Sequence, residues 1–260
     1  MGDGPDRRRF LTLLLTASVM GCGRPGVGPR PLRVAAADDL RQAIPILAVG
    51  FRHGGGAEVD ASSGTSGELA GQIRQGAPFD VFLSADRKSV DDLAGQGLIR
   101  PDSVRPYARG RLVMVVNRLS AAKVESMADL ARPEVARIAI ADPGTEPYGI
   151  AARQALTRSD LWGGLGSKIV RAETAGRALQ LVRSGRAEVG FVGRAIADVR
   201  EARIVPIPAP SYDPIVQCLG IVSGTGDPAG AGSFVDFVLG EVGQGMLRDL
   251  GFSRAPRASG

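Results

Sequence analysis

At 260 residues the chain exceeds the usual size of one domain, and its 44% hydrophobic content suffices for a packed core in each of two lobes. Aromatics at 5%, beside 36 Gly and 17 Pro, favour an Ala/Val/Leu-rich α/β protein with short loops over a β-sandwich. The net charge of +5 comes from scattered Arg residues with no Lys/Arg run interleaved with aromatics, which argues against nucleic acid as a partner.

Residues 1–21 read as an export signal: Arg7-Arg8-Arg9 precedes the apolar run Phe10 to Met20, which is too short for a permanent membrane span. Arg7 to Leu11 resembles a twin-arginine signal, and Val19-Met20-Gly21-Cys22 resembles a bacterial lipobox, in which Cys22 becomes the lipidated first residue. An ordinary cleaved signal with an incidental Cys is the simpler alternative. Residues 22–31, rich in Gly and Pro, then form a lipidated tether, and the protein is expected in the periplasm or on the outer face of the membrane. Cys218, left without a disulfide partner, reads as a small buried hydrophobe.

From Leu32 the pattern alternates strand and helix. Strands are predicted at Leu32–Ala36, Glu58–Ala61 and Val81–Ser84, and helices at Leu40–Phe51, Glu68–Gln75 and Ser89–Gln96, the last ending at Gly97. Gly64 to Gly67 is a small polar turn opening a helix. Its free N–H groups and the hydroxyls of Thr65 and Ser66 suit an anion, although the ordinary role of such a Thr or Ser is to cap the helix.

A second lobe begins with the strand Arg111–Asn117 and the helical stretch Met127–Ala131. It continues with strand Ile138–Ala141, loop Asp142–Gly149, helix Ile150–Thr157, strand Lys168–Val170, helix Ala175–Ser184 and strand Val189–Val192. Ile204–Ile207 and Ile215–Val222 return to the first lobe, and Ser233–Leu250 is a helical pair with Gly245 and Gly251 as weak points or ends. Lobe I is thus 32–112 plus 208–260 and lobe II is 113–207, with a hinged cleft between them. In parallel sheets ligands lie beyond the carboxyl ends of strands, so the loops Ala37-Asp38-Asp39 and Ser62 to Gly67 are candidates for the site.

An enzyme is not indicated. His53, the sole histidine, reads as a solvated turn residue, and no Gly-x-Ser-x-Gly, His-Glu-x-x-His or Gly-Lys-Ser/Thr motif occurs. Among the acids Asp38, Asp39, Asp80, Asp86 and Asp142, a glycosidase pair or cation site is conceivable, but Asp80 and Asp86 read more simply as a strand-edge residue and a turn or cap residue. An effector domain of a transcription regulator is disfavoured by the export signal and by the lack of a helix-turn-helix segment before Leu32.

Five blocks in order, Val34 to Ala37, Gly64 to Asp86, Ile140 to Gly149, Ala178 to Val192 and Gly243 to Phe252, resemble the molybdate-binding periplasmic proteins of ABC transporters, and the similarity covers nearly all of Leu32 to Phe252. The resemblance implies a type II periplasmic-binding-protein fold: two Rossmann-like lobes joined by a hinge of crossing strands. It also implies a monomer without cofactor that captures molybdate or tungstate through neutral donors and delivers it to an ABC permease in the inner membrane.

Carried over by position, Ser66 is the first-lobe hydroxyl donor, while Tyr148 and Ala175 offer backbone N–H groups. Gly193 stands where some members place a Tyr hydroxyl. Asp38, or Asp39, takes the place of the first-loop Ser, and an ionised Asp repels a dianion. Three outcomes stay open: a protonated Asp38, an Asp38 turned away to cap the helix near Leu40, or a different ligand. Glu146, where an apolar residue is more usual, is a second acid, and Arg41 or Arg194 is available to offset one of the two. The alternative ligands are a sulfate-like oxyanion, or a cation or sugar held by Asp38 and Glu146.

Overall fold

The computed structural model describes residues 30–255, so the export signal, Cys22 and most of the tether lie outside the described residues. The elements run in the order β1 (Leu32–Ala37), α1 (Ala43–His53), β2 (Val59–Gly64), α2 (Ser66–Arg74), β3 (Val81–Ser84), α3 (Lys88–Gly95), β4 (Arg105–Gly110) and β5 (Leu112–Asn117). They continue as β6 (Ile138–Ala141), α4 (Pro147–Arg158), β7 (Ile169–Ala172), α5 (Ala175–Arg183), β8 (Val189–Gly193), β9 (Ala202–Pro206), β10 (Ile215–Ile221), α6 (Pro228–Leu239), α7 (Glu241–Asp249) and β11 (Ser253–Arg254).

Two sheets form, ordered β11-β4-β10-β3-β1-β2 and β7-β6-β8-β5-β9. Inner strands such as β3 and β5 are apolar along almost their whole length because helices cover both faces, and both are buried at every position. The edge strand β2, Val59-Asp60-Ala61-Ser62-Ser63-Gly64, is polar and mostly exposed, a composition that discourages further strand pairing. The chain crosses between sheets at Gly110 to Leu112 and returns between Pro206 and Ile215. It re-enters the first sheet as β10, antiparallel to both β3 and β4. This is the two-lobed α/β architecture with a hinge of crossing strands.

Cys218 is fully buried and free, as a small hydrophobe. Asp86 accepts from the Ser89 N–H at 2.6 Å and so serves as a turn residue. Asp80 is 1% exposed: its carboxylate takes two bonds from the Arg30 guanidinium at 2.9 and 2.8 Å, one from Thr225 at 2.6 Å and one from the Arg33 N–H at 2.8 Å. It ties the start of β1 to the loop before α6.

Several local expectations shift. His53 is the exposed last residue of α1 rather than a loop residue. The C-terminal helices part at Gly240, with Gly245 inside α7, because Gly240 closes α6 through its N–H to Asp236 O and also precedes the first residue of α7. Gly251 has φ +94°, which explains a glycine at the end of α7. Met127–Ala131 is a 3-10 turn, and β4, absent from the sequence reading, pairs with β10 and β11.

Candidate functional site

A cavity of about 220 Å³ opens between the lobes, lined by the loops that follow β1, β2, β3, β6 and β7. These are the carboxyl ends of parallel strands, where helix N-termini collect and leave their first N–H groups without helical acceptors. The first turns of α2, α4 and α5 all reach the cavity wall, through Ser66 and Gly67, Pro147, and Ala175 and Gly176.

Each of these helices is capped in its own way. Thr65 caps α2 in a reciprocal box: its Oγ1 accepts from the Glu68 N–H at 3.1 Å, and the Glu68 carboxylate accepts from the Thr65 N–H at 2.9 Å. Ser66 is 7% exposed and its Oγ accepts the Ala85 N–H at 3.0 Å, so its hydroxyl proton is left to donate. Thr174 caps α5 by accepting the Arg177 N–H at 3.1 Å, which leaves the Ala175 and Gly176 N–H groups of the first turn as donors. At α4 the cap is Glu146, whose carboxylate accepts the Gly149 N–H at 2.9 Å. That carboxyl group sits on the wall of the cavity.

Asp38 also lines the cavity, close to the start of α5: a Cβ added to Gly176 would lie 3.4 Å from its Oδ2. It does not cap the helix near Leu40. The 3-10 turn Asp38–Leu40 has Ala37 at its N-cap without a side-chain bond, and α1 begins only at Ala43. The carboxylate instead pairs with Arg41 at 2.5 Å, and Arg41 rather than Arg194 is its counter-charge. Arg194 is engaged elsewhere, its side chain packed against Gly251.

Tyr148 and Gly193 pack against each other. The Tyr148 ring is directed away from the cavity and is 1% exposed, pressed between Gly110 and Gly193; a Cβ at either glycine would fall 2.5 and 2.7 Å from its atoms. Gly193 therefore lies behind Tyr148 and outside the cavity wall, because the missing side chain makes room for the ring. The donor foreseen at Tyr148 is its backbone N–H, in the first turn of α4 beside the Glu146 cap.

The Tyr148 hydroxyl donates to Asp39 Oδ2 at 2.7 Å, and Gln217 of β10 donates its Nε2 to the same oxygen and, at 3.2 Å, to the Tyr148 hydroxyl. Asp39 Oδ1 and Gln217 Oε1 are buried with no partner among the described residues. Sequence reasoning missed Gln217, although a single polar residue inside the apolar run Ile215 to Ile221 is the kind of signal that marks a buried hydrogen-bonded site.

Burial pushes the Asp39 carboxyl up to about 6, against the lowering effect of its bonds from Tyr148 and Gln217. Burial likewise raises Glu146 to about 8, with the Gly149 N–H working the other way and the neighbouring Asp39 charge adding to the rise. The desolvated acids of the cleft are thus Asp39 and Glu146. Among the described residues no Lys or Arg lines this cavity, whereas an adjoining larger cavity is bordered by Arg41, Arg177 and Arg183.

Residues 32–253 match the family described as bacterial extracellular solute-binding protein. The molybdate-binding protein ModA of Rhodobacter capsulatus is 30% identical over 237 residues, which cover 91% of this chain and 93% of that protein. Its namesake from Azotobacter vinelandii is 30% identical over 252 residues, covering 93% and 96%. The solved structure of the Azotobacter vinelandii periplasmic molybdate-binding protein superposes with a TM-score of 0.80 at 33% identity, covering 87% of this chain and all of the other.

Proposed function

The chain belongs to the bacterial extracellular solute-binding proteins, and we propose that its cleft captures a tetrahedral oxyanion, molybdate or tungstate, for delivery to an ABC import permease. One observation carries this reading: the first turns of three helices, one from lobe I and two from lobe II, meet at a cavity of about 220 Å³ with the Ser66 hydroxyl among them. Helix N-termini bind anions through aligned N–H groups and the helix dipole, without fixed cations. Each hydrogen bond to a charged oxygen contributes roughly 1.5–3 kcal/mol, and micromolar affinity needs about 8 kcal/mol, so a handful of such donors suffices.

The adjoining cavity sets Arg41, Arg177 and Arg183 beside Asp38, Glu68 and Glu173, so selection rests on the size and hydrogen bonding of the smaller cavity. Ligand that touches both lobes at once favours the closed form, which is the form a permease would dock. The role is capture and delivery rather than catalysis, with no cofactor and with a monomer as the working unit. Export and a lipid anchor at Cys22 would hold the protein at the membrane beside its permease.

A second reading rests on the carboxylates of Asp38, Asp39 and Glu146 at the cavity wall, which would suit a cation or a sugar. Calorimetric titration with molybdate, tungstate, sulfate, phosphate, divalent cations and neutral sugars separates the two. Saturable binding of molybdate or tungstate is the expected result, and binding of a cation or sugar in their place overturns it.

A further inference from the structure

Oxyanion capture leaves Glu146 unexplained. Its carboxylate lies at the N-terminus of α4, accepting the Gly149 N–H, on the wall of the cavity and at one of the helix ends that would hold the ligand. Neutral caps serve α2 and α5, where Thr65 and Thr174 do the same work. Resting on the proposed oxyanion reading, we propose that Glu146 and the bound oxyanion share one proton, so that the site binds its tetrahedral anion only with that proton in place.

Two anionic oxygens in contact inside a small cavity repel strongly, whereas one proton between them turns repulsion into a short O–H···O⁻ bond, among the strongest hydrogen bonds proteins make. The acids that face Glu146 come from every wall. Asp38 and Asp39 follow β1, Glu68 is on α2, Asp142 follows β6 and Glu173 precedes α5, with Tyr148 on the helix that Glu146 caps. Most are already committed. Asp38 holds Arg41, Glu68 the Thr65 N–H, and Asp142 the Gly144 N–H and Thr145 hydroxyl, while Glu173 is exposed. Asp39 takes the Tyr148 and Gln217 donors on one oxygen and keeps the other, buried, without a partner. Glu146 is partly buried at the cavity wall, where Glu68 and Glu173 are exposed, and it is not sealed inside as the free oxygen of Asp39 is, so it is the acid placed to meet the ligand with an oxygen to spare. Its raised pKa, about 8, means that the empty site holds this proton at neutral pH and loses it in mild alkali.

The test is isothermal calorimetry of the full chain with sodium molybdate and sodium tungstate between pH 6 and pH 9.5, run in pairs of buffers with different ionisation enthalpies. The expected result is uptake of close to one proton per ligand at pH 9, none at pH 6.5, and a Kd about tenfold weaker at pH 9 than at pH 7. Glu146→Gln, whose amide keeps a donor in place, is expected to bind with a Kd constant across that range and no buffer-dependent heat. Wild-type binding with neither pH dependence nor proton uptake overturns the shared proton and leaves oxyanion capture standing. An unchanged pH slope in Glu146→Gln moves the proton to another acid and overturns the assignment. No binding of either anion at any pH overturns oxyanion capture, and the inference with it. The proton count on the unmodified chain decides the matter even if the variant fails to fold.

Discussion

The hydroxyl of Tyr148, in the second lobe, donates to the carboxylate of Asp39, in the first, at 2.7 Å, and Gln217 of the returning strand β10 bonds to both. One fully desolvated network thus spans the cleft and the hinge. Removing one partner of a buried polar group leaves the rest unsatisfied and costs about 1–3 kcal/mol. Tyr148→Phe is therefore expected to lower unfolding stability by that amount at pH 7, as read by urea denaturation, with little change in the m-value.

Asp39 also makes stability depend on pH. Its folded-state value of about 6 stands above the ordinary 3.8, so the native state binds a proton that the unfolded state has released. Stability from this group is greatest below pH 4, declines as pH rises towards about 6 and stays at its lower level above. The difference is about 3 kcal/mol. Asp39→Asn is expected to remove this decline, seen as a smaller loss of stability than wild type between pH 4 and pH 7.

Asp80 titrates in the opposite sense. Burial alone would raise its pKa, but the Arg30 guanidinium, the Thr225 hydroxyl and the Arg33 N–H together hold it below the usual carboxylate value. Its contribution is complete at neutral pH and is lost as pH falls through the lowered value. Asp80→Asn is expected to destabilise the protein by about 2–4 kcal/mol at pH 7, following the pattern of a buried pair that loses one charge, and to differ less from wild type in strong acid. Thermal melts at pH 7 and pH 2.5 check both halves.

Gly193 meets the Tyr148 ring so closely that a Cβ would lie 2.7 Å from it. Both elements are packed, so the ring has little room to retreat. Gly193→Ala is expected to cost about 1–3 kcal/mol in unfolding free energy, as overpacked cores do, and to weaken the bond to Asp39. A double mutant with Tyr148→Phe checks the coupling: the two effects should fall short of additivity, since each disturbs the same contact.

Within the cavity, Ser66→Ala removes a hydroxyl and Asp38→Ser removes a charge. If a doubly negative ligand is bound, loss of a donor to it should weaken binding about tenfold or more, and loss of a like charge should strengthen it by at least a similar factor. Calorimetry with molybdate on both variants measures the two directions. A weakened Asp38→Ser would contradict repulsion by that carboxylate.

Much of the architecture was legible in the linear pattern because burial on both faces of a parallel sheet demands unbroken apolar runs. Val81–Ser84 and Ile138–Ala141 coincide with the strands found there. The strand β4, Arg105-Pro106-Tyr107-Ala108-Arg109-Gly110, escaped notice since its two arginines and proline hide the period, and only pairing with β10 and β11 makes it a strand. Capping was partly legible: Thr65 before the helical pattern, with Glu68 three residues on, forms the box that these residue types favour. Glu146 was seen as an acid near the cleft, but not as the cap of α4, because Pro147 at the first position of that helix was read as part of a loop.

By itself, the order of residues determined that strands and helices alternate in two lobes, and that small polar turns open helices beside their strands, since these follow from local period and capping chemistry. Which acid is desolvated was settled only by the folded chain. Asp39 and Tyr148 are 109 residues apart, and Asp39 and Gln217 are 178 apart, so no local pattern records their meeting. A carboxyl keeps its ordinary properties until packing withdraws water from it, and that withdrawal takes segments of both lobes and the strand between them.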